Sequence, residues 1–315
     1  MSSAAPGSAY RAIIICTGHM TICGKAVMMT MTHADVDTGW PSLGLAMSRF
    51  EVAERAGWTE RAAFYDSHFA PITQQALDEL VEELAVGPGT RLLDIGCGTG
   101  DLAARAVARG ADVTGIDVAS TMVAIARAKV PRARFLVGDA EALGFGPGTF
   151  DAVACAFCIW HLAEPDRAFA EAARVLRAGG AFAFTTWLPP EQGWDMFALL
   201  QASVAEHGSF DVDLPPAPPP FRFAHADEVE RSLYLTGFID VRFTRRIAYW
   251  HGRSGDDLLA LIDRAIVRAP MLIAAQEPAA QARIKEAIRQ GAENFREGAC
   301  LRMRWPYALI TARRA

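Results

Sequence analysis

The sequence predicts an α/β protein with a doubly wound, mainly parallel sheet that is covered by helices on both faces. Short apolar runs alternate with segments of helical period between residues 91 and 186, which is typical of parallel strands joined by crossover helices. The chain has 315 residues, 51% of them hydrophobic, and can therefore bury a large core. A glycine-rich stretch, "DIGCGTGD", stands between the first predicted strand and its helix.

The alternating region contains five predicted strands and three predicted helices. The strands span residues 91–95, 112–116, 134–137, 152–156 and 181–186. The helices span residues 101–109, 120–129 and 166–177, and Gly179-Gly180 is expected to end the last one.

The flanking regions are less regular. Residues 45–85 have a helical pattern with a predicted break at Pro71. After Trp187, a helix and a proline-rich loop precede predicted helices at 225–236, 256–268 and 278–295 and predicted strands at 240–250 and 302–312. We therefore expect four parts: a poorly ordered extension (1–40), N-terminal lid helices (41–88), a ligand-binding core (89–187), and helical insertions that cap the substrate together with the last two strands of the sheet (188–315).

Composition argues against several classes of partner. The formal charge of −5 gives no general attraction for nucleic acid, and the Arg-rich "RFTRRIAYW" and "TARRA" are expected to be solvated strand edges. No apolar run reaches the roughly 18 residues of a membrane span. Six cysteines without a disulfide-framework spacing indicate reduced thiols and a cytoplasmic setting. Because side chains alternate along a strand, Cys155 and Cys158 are expected to point to opposite faces.

The glycine-rich stretch indicates a ligand at the first strand–helix junction. Glycines tolerate positive φ and let a ligand approach the backbone closely. A dinucleotide site needs the spacing G-x-G-x-x-G, but Asp101 occupies the third glycine position and would repel a pyrophosphate. Asp94, at the end of the strand, suits a ligand that carries an ammonium group instead.

Carboxylates also follow the next two strands. Asp117 ends the second predicted strand and can accept hydrogen bonds from both hydroxyls of a ribose, while Asp139 follows the third strand, where it can meet an adenine amino group. The carboxyl ends of parallel strands meet at one edge of a sheet. Together with Asp94, these residues predict a nucleoside site there, although each aspartate alone could simply form a turn.

The region from about Phe64 to Trp187 resembles the class I S-adenosylmethionine-dependent methyltransferases, in particular the small-molecule "type 11" branch that includes quinone-biosynthesis C-methyltransferases. The resemblance lies in "LLDIGCGTG", "GIDVASTMVAIARAK", "GDAEALGFGPGTFDAV" and "EAARVLRAGGAFAFTTW", in this order. It implies a seven-stranded sheet whose last two strands are residues 240–250 and 302–312, with helical insertions after the fifth strand and between these two. It also implies S-adenosylmethionine as the cofactor.

The same resemblance implies roles for individual residues. The glycines face the methionine part of the cofactor, Asp117 holds the ribose, Val118 and Met122 flank the adenine, and Asp139 with Ala140 contacts the adenine edge. Tyr65, in a segment similar to the family's lid, closes over the cofactor or is simply a core tyrosine. The candidate cofactor-binding residues are Tyr65, Asp94, Gly96, Cys97, Gly98, Gly100, Asp117, Val118, Met122, Asp139, Ala140, Ala156 and Phe157.

The segment after the fourth strand, "AFCIWHLAEPD", faces the reacting methyl group in this family. It lacks the Asn/Asp-Pro-Pro-aromatic motif of adenine and amide methylases, and no acidic ligands for a metal follow the fourth or fifth strand. His161 is the candidate general base, because its unperturbed pKa suits proton removal near neutral pH. It could instead pack the wall of the site or cap the helix at Asp166.

A small, largely apolar or aromatic acceptor is predicted, with O-, C- and N-methylation all open. The candidate pocket residues are Phe157, Trp160, Trp187, Trp194, Phe197, Phe221 and Phe223. Two alternatives remain: an NAD(P)-dependent oxidoreductase on a similar sheet, and a module that binds S-adenosylmethionine without catalysis.

Overall fold

The computed structural model describes residues 47–315, so the predicted extension at residues 1–40 lies outside the described residues. One sheet contains all seven predicted strands and a further two-residue strand. The strands are β1 (Arg91–Ile95), β2 (Asp112–Asp117), β3 (Arg134–Val137), β4 (Phe150–Ala156), β5 (Leu176–Trp187), β6 (Phe238–Gly252), β7 (Arg296–Glu297) and β8 (Cys300–Arg314).

The sheet order is β3-β2-β1-β4-β5-β8-β6, with β7 paired to β8 beside this path. The first five strands are parallel, and β8 runs antiparallel to both β5 and β6. The order of winding reverses between β1 and β4, so a crevice is expected beyond the carboxyl ends of these two strands. The predicted mainly parallel, doubly wound fold is confirmed.

Eleven α-helices cover the sheet within the described residues. They are α1 (Arg49–Phe64), α2 (Ala70–Thr73), α3 (Leu77–Glu83), α4 (Asp101–Ala108), α5 (Ser120–Lys129), α6 (Pro165–Val175), α7 (Asp195–His207), α8 (Ala226–Leu235), α9 (Gly255–Ala265), α10 (Arg268–Ala274) and α11 (Pro278–Ala292).

Two predicted helix boundaries are wrong. Pro71 does not break the helix, because it lies in the first turn of α2, where its missing N–H has no intrahelical partner. The irregularity lies just before it, in a π-helical turn at Tyr65–Phe69. At the other boundary, α6 ends at Val175, before the Gly pair, because Leu176 is extended and pairs with Phe150 of β4.

Both faces of the sheet are buried, as the alternation along β1 shows. Leu92 belongs to one core cluster and Leu93 to the other, which is the two-residue period of a strand covered on both sides. This arrangement leaves the carboxyl ends of the strands as the place for ligands. No helix within residues 47–315 is long and apolar enough to cross a membrane.

The strand β6 forms one margin of the sheet. Its register with β8 shifts between Ile239 and Arg242. Arg242 pairs with Glu83 at 2.6 Å and Arg246 with Glu79 at 2.6 Å, so both arginines are tied to α3.

Candidate functional site

The turn after β1 exposes its backbone at Gly98. Gly96, Gly98 and Gly100 have φ angles of +66°, +51° and +87°, a region that favours glycine. A Cβ on Gly96 would lie 2.4 Å from the Cys158 Sγ, whereas a Cβ on Gly98 would meet nothing within 4 Å. Gly96 is therefore required by packing, and Gly98 borders open space that a ligand can fill.

Two further contacts hold this turn in place. Cys97 is buried and its N–H donates to the Ile116 carbonyl of β2 at 2.8 Å. Gly100 caps α4, and its Cβ position would be 3.1 Å from the Cβ of Ala126 in α5. The turn is thus fixed against both neighbouring elements before any ligand arrives.

Asp94 is a buried carboxyl group directly beneath the turn. Its side chain is 1% exposed, and its Oδ2 has no hydrogen-bond partner among the described residues. Burial, together with the negative charges of Asp117 and Asp101, raises the pKa of Asp94 to about 8. A buried carboxyl without a partner is costly, which indicates that a ligand supplies the missing donor or positive charge.

Asp117, the last residue of β2, connects the glycine turn to the following helix. Its Oδ2 accepts from the Gly98 N–H and its Oδ1 from the Ala119 N–H, both at 2.9 Å. Burial raises the pKa of Asp117, while these two hydrogen bonds and the nearby His161 imidazole counteract the rise. Each carboxylate oxygen can accept a second hydrogen bond, so the group remains available to ligand hydroxyls.

The start of α5 supplies an apolar wall. Met122 is 3% exposed and packs with Ala62, Ala119 and the partly buried Tyr65. The backbone carbonyl of Val118 accepts from the Arg55 side chain of α1 at 3.3 Å. The N-terminal helix α1 therefore covers this edge of the site.

Asp139 and Ala140 follow β3 at the far end of the same edge. Ala140 is buried, whereas Asp139 is exposed and its Oδ1 accepts from the Glu141 N–H at 2.8 Å. One oxygen of Asp139 thus stabilises its own turn, and the other remains free for a ligand.

The segment predicted to be a lid lies beside the helices that follow the glycine turn and β2. Tyr65 occupies the π-helical turn, its hydroxyl lies 3.4 Å from the Thr73 Oγ1, and burial raises its pKa above the ordinary value. The negative charges of Asp101 and Asp117 add to this rise in pKa. Lys129 of α5 pairs with Asp66 of the lid and, at 3.2 Å, with Asp101 at the start of α4.

His161 lies in a 3₁₀ turn, Ile159–His161, after β4. Its Nδ1 is 2.8 Å from the Oε2 of Glu54, a residue of α1 that is only 3% exposed. The Trp58 Nε1–H donates to the same Glu54 oxygen at 3.0 Å, and the Trp58 ring lies edge-on to the imidazole. His161 thus contacts the lid, and its helix-capping alternative finds no support because no side chain caps α6.

Sequence reasoning did not identify Glu54. The signal was nevertheless present, because Phe50, Glu54 and Gly57 form the buried stripe of α1 at helical spacing. A carboxylate on such a stripe requires a buried partner.

The segment after β4 departs from strand geometry at Phe157. Ala156 ends β4, and Phe157 has a φ of +54° with its N–H donating to the Thr185 Oγ1 at 3.0 Å. Strand alternation therefore stops here, and the expectation that Cys155 and Cys158 point apart is wrong. The contacting Cys155 thiol and burial raise the pKa of Cys158.

Most of the predicted acceptor-pocket residues form one aromatic cluster. Phe157 stacks on Trp187 with ring centroids 4.1 Å apart, and Trp194 stacks on Phe197 at 5.0 Å. Phe223 does not join them; it packs against Phe169 and Phe184 in the second core cluster. The members that remain partly exposed are Trp160, Phe197 and Phe221.

The β8 strand contributes two aromatic residues that the sequence did not suggest. Trp305 lies 5.5 Å from Trp187 and 5.2 Å from Trp194 between ring centroids, and Tyr307 lies 5.5 Å from Phe157. They are found only once β8 is placed beside β5, because nothing in the local sequence relates them to the site.

Comparison with known proteins identifies residues 93–184 as a match to the family described as "Methyltransferase domain". An uncharacterised methyltransferase of Mycobacterium tuberculosis is 34% identical over 158 residues, which is 50% of this chain and 64% of that protein. A demethylmenaquinone methyltransferase of Thermus thermophilus is 44% identical over 109 residues, 33% of this chain and 50% of that protein. The chain therefore spans less than two thirds of the length of these relatives.

Among solved structures, the YcgJ protein of Bacillus subtilis is similar with a TM-score of 0.49 at 17% identity. The alignment covers 76% of this chain and 98% of that one. The resemblance predicted from the sequence is confirmed by the family match over residues 93–184.

Proposed function

We propose that the methyltransferase domain formed by residues 93–184 makes this protein an enzyme that transfers a methyl group from S-adenosylmethionine to a small, largely apolar or aromatic acceptor. The observation that carries the proposal is Asp94, a buried carboxyl with an unpartnered oxygen beside a backbone turn that borders open space. Such a carboxyl fits a ligand with an ammonium group and a positive sulfur.

The residues at the sheet edge fit the other parts of this cofactor. The Asp117 carboxylate suits the two ribose hydroxyls, and Met122 with Val118 offers an apolar surface for the adenine ring. We assign Asp139 and Ala140, which follow β3, to the adenine edge, and Tyr65 to the side of the ligand that faces the N-terminal helices. When bound, S-adenosylmethionine supplies a methyl group that its sulfonium has already activated.

A pyrophosphate ligand fits this site poorly. Helix α4 begins at Asp101, whose Oδ2 receives a hydrogen bond from the Thr99 hydroxyl at 3.2 Å. Three carboxyls lie around the turn: Asp94 stands in β1 before it, Asp101 begins α4 after it, and Asp117 accepts a hydrogen bond from the Gly98 N–H. Negative charge at a helix N-terminus opposes a phosphate, so a nicotinamide dinucleotide is disfavoured.

The aromatic cluster supports a planar acceptor that carries oxygen atoms. Its half-exposed members offer an apolar surface for a ring. The indole N–H groups of Trp160, Trp194 and Trp305 are buried and have no hydrogen-bond partner among the described residues. The ring of a phenol or quinol would pack on this apolar surface, and its oxygen atoms would accept hydrogen bonds from some of the indole N–H groups. We assign His161 as the base that removes the proton of the acceptor.

Calorimetry tests the cofactor assignment. Titration with S-adenosylmethionine or S-adenosylhomocysteine should show binding, and Asp117→Ala should weaken it by about 1.5–3 kcal/mol through the loss of charge-assisted hydrogen bonds. Stabilisation by NAD or NADP, with no binding of either sulfur ligand, would overturn the proposal.

The acceptor class needs a separate experiment. A panel of phenols, quinols and amines, read by a methyl mass shift in the product, should show turnover with the phenolic or quinol members. Tight cofactor binding without turnover on any member would favour a non-catalytic module.

A further inference from the structure

The lid helix brings a buried carboxylate to the candidate base. Glu54 is separated from His161 by 107 positions in the chain, yet its Oε2 lies 2.8 Å from the His161 Nδ1. The side chain of Glu54 is 5% exposed and that of His161 is 20% exposed. Burying a carboxylate is costly unless partners hold it. Both partners of Glu54, the His161 ring and the Trp58 Nε1–H, contact Oε2, while Oε1 has no partner among the described residues.

We infer that Glu54 is a positioning residue that fixes the tautomer and ring orientation of His161. A neutral imidazole carries its proton on one nitrogen, and an ionised carboxylate can only accept, so the pair requires the proton on Nδ1. This leaves the lone pair of Nε2 free, and no described residue donates a hydrogen bond to that atom. The inference rests on the proposed function, in which Nε2 receives the proton of the acceptor.

The neighbouring groups fix the ring in one plane. The Trp58 ring lies edge-on to His161, with centroids 4.9 Å apart and an interplanar angle of 88°. The Trp58 Nε1–H also donates to the Glu54 Oε2, which holds the carboxylate. Glu54 from α1 is the charged group in contact with the imidazole, and Asp117 from β2 is near enough for His161 to lower its pKa.

The proton transfer involves only the acceptor, His161 and Glu54. The O–H bond of a phenolic acceptor breaks, its proton moves to Nε2, and the electron pair stays on the acceptor oxygen as the nucleophile. The resulting imidazolium is stabilised by the Glu54 carboxylate against its Nδ1–H. Because Glu54 belongs to α1, the base is correctly oriented only when the lid is packed on the domain.

Nitrogen NMR of the full chain tests the tautomer without an acceptor. At the alkaline end of a pH series, where the imidazole is neutral, the ¹⁵N shifts of His161 should show the proton on Nδ1 in the wild type. Glu54→Ala should shift the population toward Nε2–H, the form that histidine prefers in water. A wild-type proton on Nε2, or no change in Glu54→Ala, would overturn the inference.

Methyl-transfer rates and cofactor affinities distinguish a positioning role of Glu54 from a purely structural contact that only holds α1 against the domain (a latch). Glu54→Gln preserves the size of the side chain and a possible hydrogen bond but removes the charge. It should lower the single-turnover rate on a phenol by on the order of 10²-fold and leave S-adenosylhomocysteine affinity within about threefold. Glu60→Gln, on the exposed face of the same helix, is the matched control and should change neither.

The outcomes distinguish this inference from the proposed function. If the wild type does not bind S-adenosylhomocysteine, the proposed function fails while the tautomer measurement still decides whether Glu54 orients His161. If Glu54→Gln retains the full rate, Glu54 is only a latch. Should Glu54→Ala not fold, the NMR comparison rests on Glu54→Gln, whose amide can present either its oxygen or its NH₂ to Nδ1 and should therefore give mixed tautomers.

Discussion

Replacing Asp94 with asparagine should make the protein more stable and its cofactor site weaker. The carboxyl is 1% exposed, and burial first, then the charges of Asp117 and Asp101, raises its pKa to about 8 from an ordinary value of 3.8. Asparagine has nearly the same shape but never ionises. The substitution therefore removes the titration of Asp94 with little change in packing.

The sign of the effect follows from proton linkage. Between the two pKa values, the folded state holds a proton on Asp94 that the unfolded state has released. The contribution of Asp94 to the free energy of unfolding is therefore greatest below the unfolded pKa and is lost as the pH rises through the folded pKa. The slope is about 1.36 kcal/mol per pH unit, which accumulates to about 4 kcal/mol at pH 7. The advantage of Asp94→Asn should thus be near zero at about pH 4 and grow toward about 4 kcal/mol at neutral pH.

Urea unfolding of both proteins across this pH range measures the difference directly. Titrating groups far from Asp94 contribute equally to both proteins and cancel. Asp94 is uncharged in the folded wild type below its pKa, as asparagine is, so the substitution leaves the charge felt by Asp117 and Asp101 unchanged over this range. Calorimetry with S-adenosylmethionine completes the test: the wild type should release about one proton on binding at neutral pH as Asp94 ionises against the ammonium group. Asp94→Asn should lose this proton release and weaken binding by about 1.5–3 kcal/mol.

Asp151→Asn is the matched control because its pKa shift has the opposite sign. Hydrogen bonds from Arg91 and Arg177 hold the pKa of Asp151 well below its usual range, so its stabilising contribution is present at neutral pH and is lost as the pH falls. This variant should lose stability and keep cofactor affinity. A difference between wild type and Asp94→Asn that is constant or shrinks with rising pH would refute the reasoning.

Three further outcomes are expected. Gly98→Ala and its control Gly179→Ala share a positive φ and open space around the Cβ, so both should lose about 1–2 kcal/mol of stability in urea unfolding, but only Gly98→Ala should also lose cofactor affinity in calorimetry. Lys129→Ala removes the ion pair with Asp66 and should raise hydrogen exchange in α1 and the lid turn more than in the sheet; equal protection would show that the pair does not hold the lid. His161→Ala should slow single-turnover transfer to a phenol by about 10²–10⁴-fold with unchanged cofactor affinity, and a loss below about tenfold would return this residue to a packing role.

The sheet and its candidate ligand-binding edge could be predicted because their signals are local. Each parallel strand is a short apolar run, and the carboxylates of Asp94 and Asp117 follow in the same place on successive strands. The structure places β1 at the predicted residues Arg91–Ile95. The side-chain period of two residues in a strand and of 3.6 residues in a helix can be read from the local sequence, without knowing which distant segments pack together.

The parts that escaped prediction depend on contacts between distant segments. Leu176 ends α6 early because it pairs with Phe150, and Pro71 is tolerated because a new helical turn begins around it. The role of Glu54 could not be predicted because its partner, His161, is more than a hundred residues away in the chain. Trp305 reaches the aromatic cluster only because β8 is inserted between β5 and β6.

The outermost strand β6 has a consequence for how the folded protein behaves at high concentration. A fifteen-residue strand at a sheet margin offers unpaired backbone groups to any other extended chain. Two features make this strand a poor partner for another chain. The register shift near Ile239 makes the strand irregular, and Arg242 and Arg246, bound to α3, place charge along it. Replacing Arg242 and Arg246 with β-branched apolar residues would therefore favour strand addition and aggregation, even where the candidate ligand-binding edge of the sheet is untouched.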